Sequence, residues 1–142
     1  MNDLQRFLDA QAPVYDEVCS ELRAGSKQSH WMWFIFPQLR GLGHSTMAQR
    51  YGITGQTAAL AYARHPVLGT RLRECMALLL THKDLSAEDM LGDIDAIKLR
   101  SCATLFAAVA PDEALYAQVL QQFFRGQPDP RTQELLASSP GR

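Results

Sequence analysis

A chain of 142 residues, 46% hydrophobic and 20% charged, fits one globular domain with a core of its own, read here over residues 1–142. A net charge of -1 and a pI near 6.4 leave no field to draw nucleic acid or an anionic membrane, and no basic run of five occurs. The longest unbroken apolar run, residues 31–36, is far short of the ~20 residues that a membrane span needs.

Residues 1–8 lack the basic-then-apolar layout of a signal peptide, so the expectation is a cytosolic protein. A short helix carries Leu4, Phe7 and Leu8, and Pro13 suits the first position of the next. There Val14, Val18 and Leu22 recur every four residues, Tyr15 and Cys19 widen the stripe, and Gly25 marks the stop.

Four of the twelve aromatic residues then fall within residues 31–36 of "SHWMWFIFPQ". This run has neither a period of two nor one of 3.6. Ser29 reads as an N-cap and Pro37 forces an end. A short helix apolar all round must be buried on every side, and four aromatic rings can bury ~600–1000 Å². Trp33, Phe34 and Phe36 are therefore expected in the core, with Trp31 as a stacking surface at a pocket wall.

The edges of this segment carry the candidate chemistry. His30 precedes it, and Gln38, Arg40, Gly41, Gly43, His44 and Ser45 follow it. "GLGHST" lacks the third glycine of a dinucleotide fingerprint, no strand precedes it, and it has no P-loop lysine. A glycine-rich turn feeding a helix at Ser45 nevertheless presents backbone N–H groups, with Arg40 and His44 as further donors. The functional reading is an anion or phosphate cradle; the structural reading is a tight turn with solvated polar residues.

Residues 45–51 and 56–65 read as helices, and His65 before Pro66 caps a longer one reaching about Thr81 along Leu68, Leu72, Cys75, Met76 and Leu79. Ser86 with Asp89 is a capping-box start for a helix ending near Gly92. Asp93 caps the next, to about Ala110. On its wheel Ile94, Leu99, Cys102, Leu105, Phe106 and Val109 form the buried face.

Lys98 falls between Leu105 and Val109 on that wheel, and Asp95 between Cys102 and Phe106. Two opposite charges three residues apart on an apolar face can survive as a hydrogen-bonded pair, and such pairs at a cleft are catalytic candidates. The structural alternatives are an anion serving the helix N-terminus and a lysine stem running along the core to water. Pro111 starts a helix with Leu115, Val119, Leu120, Phe123 and Phe124 on one face, closed by Gly126, and Asp129-Pro130 begins a last one. The expected fold is all-α: a single domain of about seven to nine irregularly packed, mostly short helices.

The four histidines and three cysteines show no metal-ligand spacing, and Cys19, Cys75 and Cys102 read as buried free thiols. No metal or cofactor is implied, and the balanced charge suggests a monomer.

On "ELRAGSKQSHWMWFIFPQLRGLGHSTMAQRYGI" at 21–53, "HPVLGTRL" at 65–72 and "DIDAIKLRSCATLFA" at 93–107, the chain resembles the bacterial domain of unknown function 1810, sometimes labelled calpastatin-like. That resemblance implies an all-helical single domain and no established activity. The inhibitor label conflicts with the composition, since calpastatin-type inhibitors are disordered chains that fold on their target. A remoter resemblance is to the NADAR superfamily, helical proteins linked to NAD and ADP-ribose, some of them N-glycosidases. "QSHW" at 28–31 and "DAIKLRSCATLF" at 95–106 are similar in order and spacing to its motifs. This carries over His30, Trp31, Asp95 and Lys98, but Ser29 stands where that superfamily has a glutamate.

The expectation is thus one polar pocket between the His30–Ser45 segment and the Asp95–Lys98 helix, binding a nucleotide- or ADP-ribose-like, phosphate-containing small molecule. His30 and Gln38 would orient the ligand, residues 41–45 hold phosphate, and Asp95 act on the sugar or on water with Lys98 setting its charge. The competing expectation is a non-catalytic interaction or sensing module with no small-molecule substrate.

Overall fold

The computed structural model describes residues 4–138, in which ten helices follow one another. They are α1 (Gln5–Gln11), α2 (Tyr15–Ala24), α3 (Met32–Ile35), α4 (Thr46–Tyr51), α5 (Gln56–Arg64), α6 (Leu68–Leu80), α7 (Ala87–Leu91), α8 (Asp93–Val109), α9 (Ala114–Phe124) and α10 (Pro130–Ser138). The all-α expectation holds over these residues. Ten helices rather than seven to nine arise because pieces as short as α3 and α7 are complete helical turns. Residues 1–3 and 139–142 of the expected domain lie outside the described residues.

Local chemistry sets most boundaries. The Ser45 hydroxyl accepts from the Ala48 N–H at 3.1 Å and starts α4. Ser86 and Asp89 form the full reciprocal capping box of α7. His65 Nδ1 accepts from the N–H groups of Val67 (3.1 Å) and Leu68 (3.2 Å), so it caps α6 as its place before Pro66 suggests.

Four expected boundaries differ. Pro13 lies outside α2, which begins at Tyr15 after Val14. Asp93 is the first residue of α8 rather than its cap, that position belonging to Gly92. Pro111 lies ahead of α9, which Glu113 opens by accepting from Leu115 N–H at 3.2 Å. Ser29 caps nothing, because its hydroxyl faces the carboxylates of α2.

Helix α8 is the centre of the packing. It lies against α5, α7, α9 and α10, while α6 joins α2, α5 and α9, and α3 sits with α1 and α4. One hydrophobic cluster runs from Leu4 to Leu120 and includes Phe7, Trp31, Tyr62, Met76 and Phe106. The segments before and after α4 pair through a parallel bridge, Leu39 to Ile53, with Arg40 N–H on Ile53 O and Ile53 N–H on Gln38 O, both 2.8 Å. A side chain at Gly52 would come within 2.7 Å of the Arg40 Cα, so only glycine lets these segments close. No described helix is long and apolar enough to cross a membrane.

Candidate functional site

The site is built from the loop after α2. Glu21, on α2, is buried, and its Oε1 accepts from Gln28 N–H (2.7 Å), Ser29 N–H (3.0 Å) and Trp31 Nε1–H (3.0 Å). Ser29 Oγ lies 2.6 Å from Glu21 Oε2 and 2.6 Å from Glu17 Oε1, donating to one at a time. Burial raises the Glu21 pKa, but the Ser29 hydroxyl, the two backbone N–H groups and the indole outweigh it and bring the carboxyl down to about 2. One ionised carboxylate thus folds the loop into a single shape. Lys27 N–H on Met90 O, 2.8 Å, fastens that loop to α7.

The consequence is a row of alternating groups. Lys27 Nζ is 3.0 Å from Asp95 Oδ2, and Lys98 Nζ is 3.5 Å from Asp95 Oδ1. Lys27 Nζ also stands over the Trp31 ring at 5.1 Å, and Lys98 Nζ over the Trp33 ring at 5.0 Å. The order is therefore Trp31, Lys27, Asp95, Lys98, Trp33. The Asp95–Lys98 pair expected from spacing is present, but a second cation shares the carboxylate. Asp95 and Lys98 are partly buried side chains, 18% and 23% exposed, whereas Lys27 is sunk to 8%.

Beside this row lies a cavity of about 500 Å³. Lys27, His30, Met32 and Trp33 form one wall, and the α7–α8 junction, Leu91 to Asp95, forms the other. Trp31 is not on its wall: at 1% exposure it is core, its N–H spent on Glu21, and half-buried Trp33 takes the wall position instead. The two tryptophans exchange their expected roles because Glu21 draws the first one inward. Phe34 and Phe36 are core as expected. Ile94, expected on the buried face of α8, is 72% exposed at the cavity rim.

The glycine-rich turn is elsewhere. Arg40, Gly41, Gly43 and His44 line a separate cavity of about 560 Å³ with Thr46, Gln49 and Arg50. Ser45 is occupied as the cap of α4, and Gln38 gives its backbone to the bridge with Ile53. The expected single pocket is thus divided: His30, Asp95 and Lys98 come together, and residues 38–45 do not join them. The aromatic segment and the Leu39–Ile53 bridge turn the chain away between the two halves. Among the described residues, no group of three or more His, Cys, Asp or Glu is placed to hold a metal ion.

Sequence reasoning missed Glu21 and Lys27. Glu21 sits next to Leu22 at the edge of the α2 stripe, and Lys27 is a lone cation in a loop, so neither carries a periodic signal. A weak hint for Lys27 is its distance of four residues from Trp31.

The family model described as a protein of unknown function, DUF1810, matches residues 1–136. Among solved structures, the crystal structure of the conserved hypothetical protein Rv1873 from Mycobacterium tuberculosis is similar, with 48% identity and a TM-score of 0.95 over 97% of this chain and 99% of that one. No curated protein matches.

Proposed function

We infer, since the chain belongs to the DUF1810 family of proteins of unknown function, that the cavity between the α2–α3 loop and the start of α8 is its ligand site. The ligand is a nucleotide- or ADP-ribose-like molecule. The observation that carries this reading is the doubly paired Asp95 at the cavity wall. Lys27 and Lys98 balance Asp95 and Asp93 of the same region, and their ammonium groups are the donors that a phosphate would meet. The half-buried Trp33 offers a ring against which a base can stack, and exposed His30 adds a donor at the rim.

Asp95 is also the carboxylate that the NADAR resemblance carries over, and its two lysines keep it aimed. In N-glycosidic hydrolysis its work is electrostatic, holding the oxocarbenium-like centre of the sugar as the base departs. A second reading, a binding or sensing module without hydrolysis, is favoured by one feature: both Asp95 oxygens already face ammonium groups, and Ser29 supplies no second carboxylate.

A thermal-shift screen against ADP-ribose, nucleotides and sugar phosphates tests the site. A ligand at 100 times its Kd is expected to stabilise the fold by ~2.7 kcal/mol. Trp33→Leu should abolish that shift. Asp95→Asn should retain binding but lose release of the base, measured by chromatography of the incubated ligand. Binding by wild type without any release selects the module reading, and no shift with any compound class overturns the site.

A further inference from the structure

A second constellation lies where α2 packs on α6, away from the proposed ligand site. Tyr15 and Cys19 stand one turn apart on α2, facing Glu74 and Cys75 on α6. Tyr15 O–H donates to Glu74 Oε1 at 2.5 Å, and the Cys75 thiol donates to the Tyr15 oxygen at 3.9 Å. Tyr15 thus ties Cys75 to the face of α2 that carries Cys19 one turn on, and each thiol is the strongest influence on the other across this interface. Cys75 is fully buried, whereas Cys19, 8% exposed, lines a cleft of about 510 Å³ with Tyr15, Asp16, Arg23, Glu74 and Thr81. A sulfur at a cleft with a second thiol behind it is the geometry of an attacking and a resolving cysteine.

We propose that Cys19 and Cys75 form a peroxide-oxidisable pair, Cys19 meeting a small hydroperoxide in the cleft and Cys75 closing an intramolecular disulfide. In the first step the Cys19 thiolate attacks the terminal peroxide oxygen. The S–O bond forms, the O–O bond breaks, and the alkoxide or hydroxide that leaves takes a proton from water. Sulfur has lost two electrons and become a sulfenic acid. In the second step the Cys75 sulfur attacks the Cys19 sulfur. The S–S bond forms, the S–O bond breaks, and the departing hydroxide leaves as water with the Cys75 proton.

The surroundings support this division of labour. Cys75 is the largest influence on Cys19; burial opposes it, and Tyr15 and Arg23 assist, while Glu74 works against ionisation, the net result being a thiol lowered to about 6. Cys75, raised first by Cys19 and then by burial, is held well above the ordinary thiol range and keeps its proton. Cys102 is fully buried with its pKa raised by burial and opens on no such cleft.

The test uses the reduced full-length chain, hydrogen peroxide in modest excess, and peptide mapping without reductant. The expected product has lost two of the three thiols to one Cys19–Cys75 disulfide within the chain. The oxidation rate should be roughly tenfold lower at one pH unit below the Cys19 midpoint than at its plateau. In Cys75→Ser a sulfenic acid should accumulate at Cys19 and be trapped by dimedone. Three free thiols after exposure, a bridge to Cys102, or a bridge between chains would overturn the pair, and mapping of the wild type decides this whether or not the variant folds.

Discussion

At the scale of the residue, Glu21 does the most with the fewest atoms. Three N–H groups converge on its Oε1 and one hydroxyl reaches its Oε2, so the charge is what holds residues 28–31 in place. Glu21→Gln can keep an acceptor toward the three N–H groups while its amide faces Ser29, and should cost ~1–2 kcal/mol. Glu21→Ala leaves buried donors unmet and should cost ~3–5 kcal/mol, read as a shift in the urea midpoint at unchanged slope. The pH dependence follows in sign. The folded-state carboxyl lies at about 2 against an ordinary 4.5, so its contribution is complete above 4.5 and is lost as the pH falls towards 2. Wild type should therefore lose its advantage over Glu21→Gln across that window; an advantage unchanged at pH 2 would mean that packing rather than charge holds the loop.

At the scale of the element, α8 shows both how far the wheel reaches and where it stops. Ala96, Leu99, Cys102, Ala103 and Phe106 lie on one buried face along the whole helix. Ile94 and Ile97, 72% and 64% exposed, lie opposite them in the first turns. Further along, Ser101 and Thr104 fall towards that same outer side yet are buried, because the segment entering α10 covers them: Asp129 N–H donates to Thr104 Oγ1 at 2.8 Å, and Arg100 reaches the carbonyls of Gln127 and Pro128. A wheel averages over seventeen residues whose cover changes midway. The Asp95–Lys98 pair was legible because it lies within one helix, and Lys27 was not, because only the folded loop brings it there. That changes the expected energetics. Lys98→Met leaves Asp95 its closer partner and should cost about 1 kcal/mol or less, while Lys27→Met removes the buried cation and should cost ~2–4 kcal/mol. Equal losses in denaturant unfolding, or the reverse order, would show that Lys98 is the cation on which Asp95 depends.

At the scale of the whole molecule, six rings run in contact from α3 to α9. Phe34 meets Tyr51 (5.4 Å between centroids), Tyr51 meets Phe7 (5.7 Å), Phe7 meets Tyr62 (5.0 Å), Tyr62 meets Phe106 (5.5 Å) and Phe106 meets Tyr116 (5.6 Å). Buried Gln11 crosses this line, its amide donating to Phe34 O at 2.7 Å and to the Tyr62 oxygen at 3.0 Å. Helical periodicity marks only Phe7 and Phe106 of these six as facing inward; Phe34 is expected in the core from its aromatic run, and Tyr51, Tyr62 and Tyr116 stand outside the stripes read from the sequence. It could not show their order of contact, which joins positions from Phe7 to Tyr116 through pairings the chain makes only once folded. The two ends of the line belong to different neighbours: Phe34 to the segment that carries Trp31 and Trp33, Tyr116 to the helix against α6 and α8. If the rings form one cooperative core, damage at one end is felt at the other. Phe106→Ala opens a cavity at a fully buried ring with two aromatic neighbours and should cost ~3–5 kcal/mol. Tryptophan fluorescence reports the α3 end and far-ultraviolet circular dichroism reports all helices, so their urea transitions should shift together and superimpose. A fluorescence transition that stays at the wild-type midpoint while the helical signal moves would divide the fold into two independently stable parts, with the proposed ligand site on the part that Phe106 does not support.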